Sequence, residues 1–554
     1  MTAGAAGSGV YLQTLRPLVG RALSGLDAEP TSPSHGSFDR TWWCWKFSDF
    51  SAARLQEGAH VLAWLATAPA SPYAATGRAR MVELADAALR FWTRLQHRDG
   101  SFDEAYPFER SLAATAFTGF YLGLTLERLR AQLDPVTVDR VCRALGAGAD
   151  WLAANGERHG ILSNHLAAAA AALQIVGDVL GTDRFSAARD RFLGVIYQHQ
   201  HPREGWMREY GGADPGYQSH GMFYLATLEQ RTHDGELFER LVRASDFLAW
   251  FVHPDGTVGG EYASRGTKFA FPAAFEMLAS RVPSAGGIAC HLRRQLACGR
   301  GVGAREMDAW NQFPLLNNLV AAIDNADDDL AAADLPWCAD GARAVFAAAG
   351  LAVAHAGGRI FVTGTQMGGA LKLFAQAGSL LYEDCGYATA VGAHYATSQG
   401  ESIGTMAVTA DGDLAVEIAA PFRQLPALRF DPWRFIAFRL FTLTLGRMPI
   451  IAQRLKAVLV SLLISRRPRH PGELRRRIRF GNDGSLRIDD EVSGVSVLPL
   501  ALARQVPMHM GSSRYADAED WGGAELACPP LERHGQRYTR RFEISAQNGQ
   551  SGKR

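Results

Sequence analysis

Several features that would assign this chain of 554 residues to a familiar class are missing from its sequence. The formal net charge is only +1, so no overall field favours nucleic acid as a partner. The seven cysteines are scattered and form no CxxC pair, which argues against a zinc knuckle or a disulfide framework. No uninterrupted apolar run reaches the roughly 18 residues that a transmembrane helix needs. With 47% hydrophobic and 20% charged residues, the composition is that of a globular protein.

The N-terminal segment lacks the charged start and continuous apolar core of a signal peptide. We therefore expect a cytoplasmic protein, with membrane association left open. Residues 1–37 are rich in Gly, Ser, Ala and Pro, which predicts a flexible leader. Residues 547–554 are predicted to form a disordered tail.

Residues 38–335 show apolar side chains at three- and four-residue spacing, which predicts helices. An internal repeat organises these helices: an aromatic residue near a helix end is followed by a turn, a glycine and polar side chains. Its glycines recur about every 50 residues, the length of one helical hairpin, and are Gly100, Gly160, Gly205 and Gly256. A hairpin cannot bury its apolar face alone, so the hairpins must stack. Closing the stack predicts an (α/α) toroid.

Polar side chains follow each repeated glycine. If the glycine loops share one rim of the toroid, these side chains surround one cleft. They are Asp103, Glu104, Asn164, His165, Glu209, Tyr210, Glu261 and Tyr262. The alternative is that they only cap the helices that follow, as Asp and Asn often do.

Beyond residue 335 the pattern changes to short β-rich runs separated by Gly and Asp turns. This predicts a C-terminal antiparallel β-sandwich over residues 336–546, and hence an α+β multidomain protein. The segment of about 431–475 differs because it is apolar and basic together. From 432 to 480 there are twelve Lys or Arg and one acid, Glu473. It predicts a helical insertion that either touches an anionic membrane surface or packs on the protein.

The densest polar cluster lies in residues 205–226. Asp214 opens an Asp-Pro-Gly turn before a helix, on which Tyr217 and His220 share one face. Such a pair can donate and accept protons, although the same spacing suits a Tyr packed beside a hydrogen-bonded His. Further along, Arg265 and the nearby Lys268 suit an anionic substrate, with ordinary surface charge as the alternative.

An Asn-His pair at a helix start, a tyrosine behind the turn GGADPGY and a β-sandwich together resemble the heparinase II/III-like and alginate-lyase-like polysaccharide lyases. The resemblance spans roughly 90–545 and implies cleavage of a uronic-acid-containing glycan by β-elimination. It implies that Asn164 neutralises the substrate carboxylate, that Tyr217 acts as acid or base, and that His165 or His220 assists. The predicted substrate-binding residues are Glu209, Tyr210, Asp214, Glu261, Tyr262, Arg265 and Lys268.

The chain also departs from that family. Lyases of that family often carry a histidine of the sandwich over the cleft, and His394 is the nearest candidate for it in this sequence. No metal-ligand cluster is evident, so no cofactor is predicted and a structural divalent metal is left open. A toroid glycoside hydrolase, which needs two carboxylates about 5–10 Å apart, is one alternative function. The other is a non-catalytic protein that binds acidic oligo- or polysaccharides.

Overall fold

The computed structural model describes residues 7–157, 160–331, 333–400, 402–425, 431–460, 468–503 and 524–546. The predicted tail, residues 547–554, lies outside these ranges. Helices dominate the chain up to Asn325, and strands dominate it from Arg343 onward.

The helices of the first part form two concentric rings. They are α1 (Ser8–Leu23), α2 (Arg40–Trp43), α3 (Gly58–Thr67), α4 (Ala75–Leu95), α5 (Leu112–Leu129), α6 (Pro135–Ala154), α7 (Ser163–Leu180), α8 (Ser186–His199), α9 (Pro215–Thr232), α10 (Gly235–Leu248), α11 (Ala273–Leu278), α12 (Pro283–Ala297) and α13 (Ala309–Asn325). In the inner ring, α3, α5, α7, α9, α11 and α13 contact one another in this order, and α13 contacts α3. Outside them, α4, α6 and α8 follow one another, as do α10, α12 and α1. The hairpins thus close into the predicted (α/α) toroid.

Burial explains the composition of the inner helices. α7 is covered by α5, α8 and α9 at once, and its alanines 167–172 are all buried. Small side chains let the helices approach closely on several sides while keeping the interior fully packed. The alanine-rich run is therefore a packing requirement of the ring.

Helix α1 corrects the prediction of a flexible leader. Its residues Val10, Tyr11 and Leu15 are buried, and it packs against α12 and α13. The Tyr11 hydroxyl donates a hydrogen bond of 2.5 Å to Glu276 of α11. The apolar residues of α1 follow a helical spacing that the surrounding Gly, Ser and Pro obscured.

The repeated glycine turns have a specific backbone geometry. Gly100 has φ of +93°, and a Cβ there would collide with the carbonyl oxygen of Ala147. The side-chain amide of Gln96 donates to the Gly100 carbonyl at 2.9 Å. Gly205, with φ of +81°, receives the same bond from Gln200 at 3.1 Å. The turn is therefore built in the same way in two repeats, from a glutamine and a left-handed glycine.

All strand pairs are antiparallel among the described residues. β1 (Arg208–Glu209) and β2 (Gly212–Ala213) form a small hairpin of the toroid. The first large sheet is the meander β3 (Arg343–Phe346), β4 (Leu351–Ala356), β5 (Arg359–Gly364), β6 (Leu371–Ala375) and β7 (Leu380–Asp384). The second contains β8 (Tyr387–Val391), β9 (His394–Thr397), β10 (Ile403–Val408), β11 (Leu414–Gln424), β12 (Arg469–Phe480), β13 (Leu486–Ser493), β14 (Leu500–Ala501), β15 (Glu532–His534) and β16 (Arg537–Ile544). Its order is β14-β8-β9-β11-β12-β13-β16-β15, with β10 paired to β11.

The meander sheet is the middle layer of the molecule. Its strands β4 and β5 are buried along their whole length. Ala352 and Phe361 belong to the core shared with the second sheet, while Val353 and Val362 belong to the core shared with the toroid. Alternating residues therefore serve two interfaces. This arrangement confirms the predicted α+β fold, a helical toroid followed by an antiparallel β-sandwich.

The predicted insertion consists of α14 (Pro432–Leu443) and α15 (Pro449–Val460), joined by a 3₁₀ turn, Leu445–Arg447. It ends earlier than expected, because β12 already begins at Arg469. Arg476, counted with the insertion in the sequence, is instead buried between the two sheets. None of the helices in the described ranges is long and apolar enough to cross a membrane.

Candidate active site

A cavity of about 520 Å³ opens where the inner helices of the toroid begin. The N-terminal turns of α7, α9 and α13 all contribute to its wall. Because the N-terminus of a helix carries a partial positive charge, this arrangement favours a negatively charged occupant. Of the predicted site residues, the cavity brings together Asn164, His165, Tyr210, Tyr217, His220 and Arg265.

Tyr217 and Arg265 form a cation–π contact in the wall. The guanidinium carbon of Arg265 lies 3.9 Å from the centre of the Tyr217 ring and 5.1 Å from that of Tyr210. The Arg265 side chain is only 10% exposed. A nearly buried guanidinium against the face of a phenol ring is attracted by the ring and fixes its position. Arg265 therefore holds the Tyr217 ring in place in the cavity wall.

Asn164 is held from behind by a carboxylate. Its Nδ2 donates to Glu209 Oε1 at 3.0 Å, and Nη1 of Arg265 lies 3.2 Å from the same oxygen. Burial raises the pKa of Glu209 to about 7, although Arg265 acts in the opposite direction. The Asn164 Oδ1 has no hydrogen-bond partner among the described residues. Glu209 thus lies behind the wall, where it fixes two side chains that line the cavity.

His165 is oriented by a second buried carboxylate. Its Nδ1 lies 3.0 Å from Oε2 of Glu157, whose side chain is almost fully buried. Phe117 packs edge-on against the imidazole, with ring centres 5.5 Å apart. A carboxylate at one ring nitrogen fixes the orientation of the ring and leaves the other nitrogen for a ligand.

His220 is in a different environment. Its ring stacks on Phe271 with centres 3.9 Å apart, and its Nε2 lies 2.8 Å from the Tyr224 hydroxyl. Burial lowers the pKa of His220 well below its ordinary value, and the charge of Arg54 adds to this effect. His220 is therefore a neutral imidazole in the cavity wall.

Asp214 is a positioning residue of the loops rather than part of the wall, which corrects the prediction that it binds substrate. It is fully buried and caps α9 by accepting a 3.0 Å hydrogen bond from the Tyr217 backbone N–H. Its other oxygen accepts a 2.9 Å bond from the Arg265 N–H. Asp214 thus ties together the two segments that carry Tyr217 and Arg265.

Glu261, Tyr262 and Lys268 lie away from the cavity, so the prediction that they line it is corrected. Lys268 Nζ is 3.0 Å from Glu261 Oε1, and Lys372 of β6 is 2.8 Å from Glu261 Oε2. Tyr262 bonds to the buried His253 at 2.8 Å. These groups form a buried network that joins the toroid to the meander sheet. In the sequence, the glycines and charged residues of a loop that faces a cleft look the same as those of a loop that faces a second domain. The sequence therefore could not separate these residues from the cavity residues.

Arg54 and Trp310 are among the cavity residues that the sequence reasoning missed. Arg54 lies above the Phe117 ring at 4.8 Å and pairs with Glu57 and Glu104 at 3.1 and 3.0 Å. Trp310, 43% exposed, presents an aromatic surface at the start of α13. Neither follows a glycine of the repeat, so the repeat could not reveal them. The N-cap sequence before Trp310 was the available signal.

Among the residues of the sandwich that the structure describes, none lines this cavity. His394, the expected histidine of the sandwich, lies exposed at the start of β9 and is not part of the wall. Within the described ranges, no group of three or more His, Cys, Asp or Glu side chains is arranged to hold a metal ion. The polar and aromatic side chains described in the cavity wall thus belong to the toroid.

Residues 69–274, which include Asn164, His165, Tyr217 and Arg265, match the family model of the ulvan lyase N-terminal domain. The resemblance to heparinase-like polysaccharide lyases is confirmed. No curated protein matches the chain. The family model covers the toroid from α4 to α10, where all the predicted catalytic residues lie.

Two polysaccharide lyases are among the solved structures that share the fold. A xanthan lyase of Paenibacillus is 9% identical, with 88% of this chain and 46% of that chain covered and a TM-score of 0.53. A chondroitin AC lyase of Streptomyces coelicolor A3 is 11% identical, with 89% and 67% covered and a TM-score of 0.50. The chain thus spans less than half the length of the xanthan lyase.

Proposed function

We propose that this protein is a polysaccharide lyase that cleaves an acidic, uronic-acid-containing glycan by β-elimination. The observation that carries the proposal is the pairing of Tyr217 with Arg265 in a cavity that Asn164 and His165 also line. The proteins that the chain resembles are named for ulvan, xanthan and chondroitin, which supports a polysaccharide as the substrate. The helix N-termini and buried arginines of the wall support an acidic one.

The reaction requires the protein to stabilise negative charge, to supply a base and to supply an acid. The C5–H bond next to the carboxylate breaks, a C4–C5 double bond forms, and the C4–O4 bond breaks as the oxygen leaves. The C5 proton is weakly acidic, so the charge that develops on the carboxylate must meet preorganised donors. One such donor is worth roughly 3–4 kcal/mol in comparable oxyanion sites. A base must take the proton, and an acid must protonate the leaving O4.

The side chains of the wall can fill these roles. Asn164, fixed by Glu209, neutralises the substrate carboxylate. Tyr217, held in place by Arg265, takes the C5 proton and then donates it to O4. His165, oriented by Glu157, assists at the carboxylate or the leaving oxygen. His220 is less suited to proton transfer, because its Nε2 is bound to Tyr224 and its ring is stacked on Phe271.

The hydrolase alternative is not favoured by the carboxylates of the cavity. Glu104 pairs with Arg54 at 3.0 Å, and Glu157 contacts His165 at 3.0 Å. Glu109 accepts backbone hydrogen bonds from Glu104 and Ala105 at 3.2 and 2.7 Å. These three carboxylates thus already have protein partners, and the fourth carboxylate of the lining, Asp308, caps α13. A hydrolase needs one carboxyl group free to donate a proton and another free to attack or activate water.

An activity assay distinguishes a lyase from a glycoside hydrolase and from a non-catalytic glycan-binding protein. Purified protein is incubated separately with ulvan, xanthan, chondroitin and alginate while the ultraviolet absorbance of the unsaturated uronate is followed. A lyase produces that absorbance together with new reducing ends. Reducing ends without the absorbance would indicate a hydrolase. Tight binding of a glycan with no product of either kind would indicate a binding protein.

The cellular location remains a prediction, with the cytoplasm proposed from the sequence. Peripheral membrane contact through residues 431–475 is likewise a proposal, and the structure describes residues 431–460 and 468–475 of that range. The proposal of membrane contact is supported by the apolar side chains that α14 and α15 expose.

A further inference from the structure

The insertion exposes large apolar side chains on both of its helices. Trp433 and Leu440 of α14 are 79% and 61% exposed, and Ile450 of α15 is 68% exposed. Phe435, Ile436 and Met448 are also exposed. Isolated apolar side chains on a surface are ordinary, but a concentration of this kind marks an interaction site.

The opposite side of the insertion is already attached to the toroid. Arg439 of α14 forms an ion pair of 2.9 Å with Asp49, and Phe438 packs edge-on against Tyr106 with ring centres 5.2 Å apart. Arg110 donates a hydrogen bond of 2.8 Å to the Arg447 carbonyl in the turn between the helices. The toroid therefore accounts for the packing of one face only, and the exposed residues lie elsewhere on the helices.

A neighbouring loop extends the exposed apolar surface. Trp45 and Phe47 are stacked, with ring centres 6.4 Å apart, and both are exposed. The same loop supplies Asp49 and Phe50, which contact Arg439 of α14. The loop and the helices are thus fixed to each other, and we call α14, α15 and residues 44–50 the apolar surface.

The charges of this surface indicate its occupant. Residues 44–50 and 431–460 together contain six Lys or Arg and two acids, Asp49 and Asp431. Arg434 is exposed beside Trp433, and Arg454 is exposed on α15. Aromatic and aliphatic side chains interleaved with arginines suit the interface of a bilayer, where the apolar groups enter the acyl boundary and the cations meet lipid phosphates. We propose that the apolar surface docks on a lipid bilayer that contains anionic headgroups.

Docking would also bring the cavity to the membrane. The loop that receives Phe438 contains Tyr106, and its neighbours Glu104, Ala105 and Glu109 line the cavity. The mouth of the cavity and the apolar surface therefore lie next to each other on the same rim of the toroid. A glycan held at the membrane surface would be within reach of this mouth. The docking itself does not depend on the proposed lyase activity.

The test is co-sedimentation of the full chain with vesicles of phosphatidylglycerol and phosphatidylcholine in equal parts, at low and at high salt. We expect binding that weakens with salt and is at least about tenfold weaker on phosphatidylcholine alone. The triple variant Trp433→Ser, Leu440→Ser and Ile450→Ser should bind at least about tenfold less than the wild type. The matched control replaces three residues exposed elsewhere, Val136→Ser, Ile403→Ser and Leu500→Ser, and should bind like the wild type.

Charge provides a second, independent variant. Arg434→Glu with Arg454→Glu should lower binding by about fivefold or more per residue, whereas Arg537→Glu with Arg541→Glu on β16 should not. Circular dichroism checks that each variant is folded. No sedimentation of the wild type at low salt would overturn the proposal, as would equal binding by the triple variant and its control. A wild-type dimer that the triple variant converts to a monomer would show instead that a second copy covers the surface.

Discussion

Tyr217 and Arg265 are held together through one buried carboxylate, Asp214. The oxygens of Asp214 accept hydrogen bonds from the backbone N–H groups of Tyr217 and Arg265 at 3.0 and 2.9 Å. The two side chains then meet with the guanidinium 3.9 Å from the ring centre. The loop before α11 and the first turn of α9 thus form one unit, in which a cation is positioned against a phenol.

The first prediction concerns the phenol hydroxyl. Tyr217→Phe keeps the ring and its contact with Arg265 but removes the group that transfers the proton. Because general acid–base catalysis contributes about 100- to 10,000-fold, we expect kcat to fall by at least about 100-fold. The measurement is the initial rate of unsaturated product on the best glycan. Tyr395→Phe, at an exposed position of β9, is the control. Unchanged kcat in Tyr217→Phe would exclude this tyrosine from the reaction.

The second prediction uses the raised pKa of Glu209. Its pKa is about 7 in the folded protein and near 4.5 when unperturbed, so the folded state holds the proton more tightly over that window. Stability from this group is present in full below about pH 4.5 and is lost as pH rises through about 7. The loss amounts to about 3 kcal/mol.

Glu209→Gln cannot ionise and should not show this loss. Its free energy of unfolding, measured by urea denaturation between pH 5 and 8, should rise relative to the wild type as the pH increases. Glu236→Gln, at an exposed position of α10, serves as the control and should follow the wild-type profile. A constant difference between Glu209→Gln and wild type across the range would show that Glu209 is already ionised at the acid end.

The toroid could be predicted because its repeat is local. Gly100 and Gly205 each end a turn that neighbouring residues determine, and the helical period is visible between them. The helix at residues 8–23 was missed because its apolar residues lie among glycines and a proline. Its stability comes from packing on α12 and α13, which are distant in sequence. Contacts of that kind leave no local pattern.

The site was predictable only in part for the same reason. Asn164, His165 and Tyr217 begin helices of the inner ring, so the repeat placed them on one rim. Glu261 follows a repeat glycine too, yet it faces Lys372 of the meander sheet. The packing of the two domains determines which loop residues face the second domain. The helical period of the sequence does not indicate this packing. Arg54 enters the cavity from outside the repeat.

The third prediction concerns the buried charges of the sandwich. Arg476 is fully buried and lies 2.8 Å from both Asp384 and Asp490. Removing one partner leaves buried charges uncompensated, so Arg476→Leu should destabilise the protein by about 3–5 kcal/mol. The adjacent Arg477 points to the other face of β12, where its side chain is 78% exposed beside Glu417. Arg477→Leu should cost less than about 1 kcal/mol. Thermal unfolding measures the stability of the two variants. Equal losses of stability would contradict the conclusion that the buried charges of Arg476, Asp384 and Asp490 depend on one another.

The last prediction tests the glycine turn of the repeat. Gly100 has a left-handed φ of +93°, and an added Cβ would overlap the backbone carbonyl of Ala147. Both the conformation and the collision oppose a side chain, so Gly100→Ala should destabilise the toroid by about 2 kcal/mol or more. Gly194, inside α8, has open space around its Cα, and Gly194→Ala should instead stabilise the helix by about 0.5–1 kcal/mol. Urea denaturation of both variants gives the two signs. A neutral Gly100→Ala would mean that the turn can shift away from α6, and that the rim which positions Glu104 and Glu109 is less rigid than the repeat geometry implies.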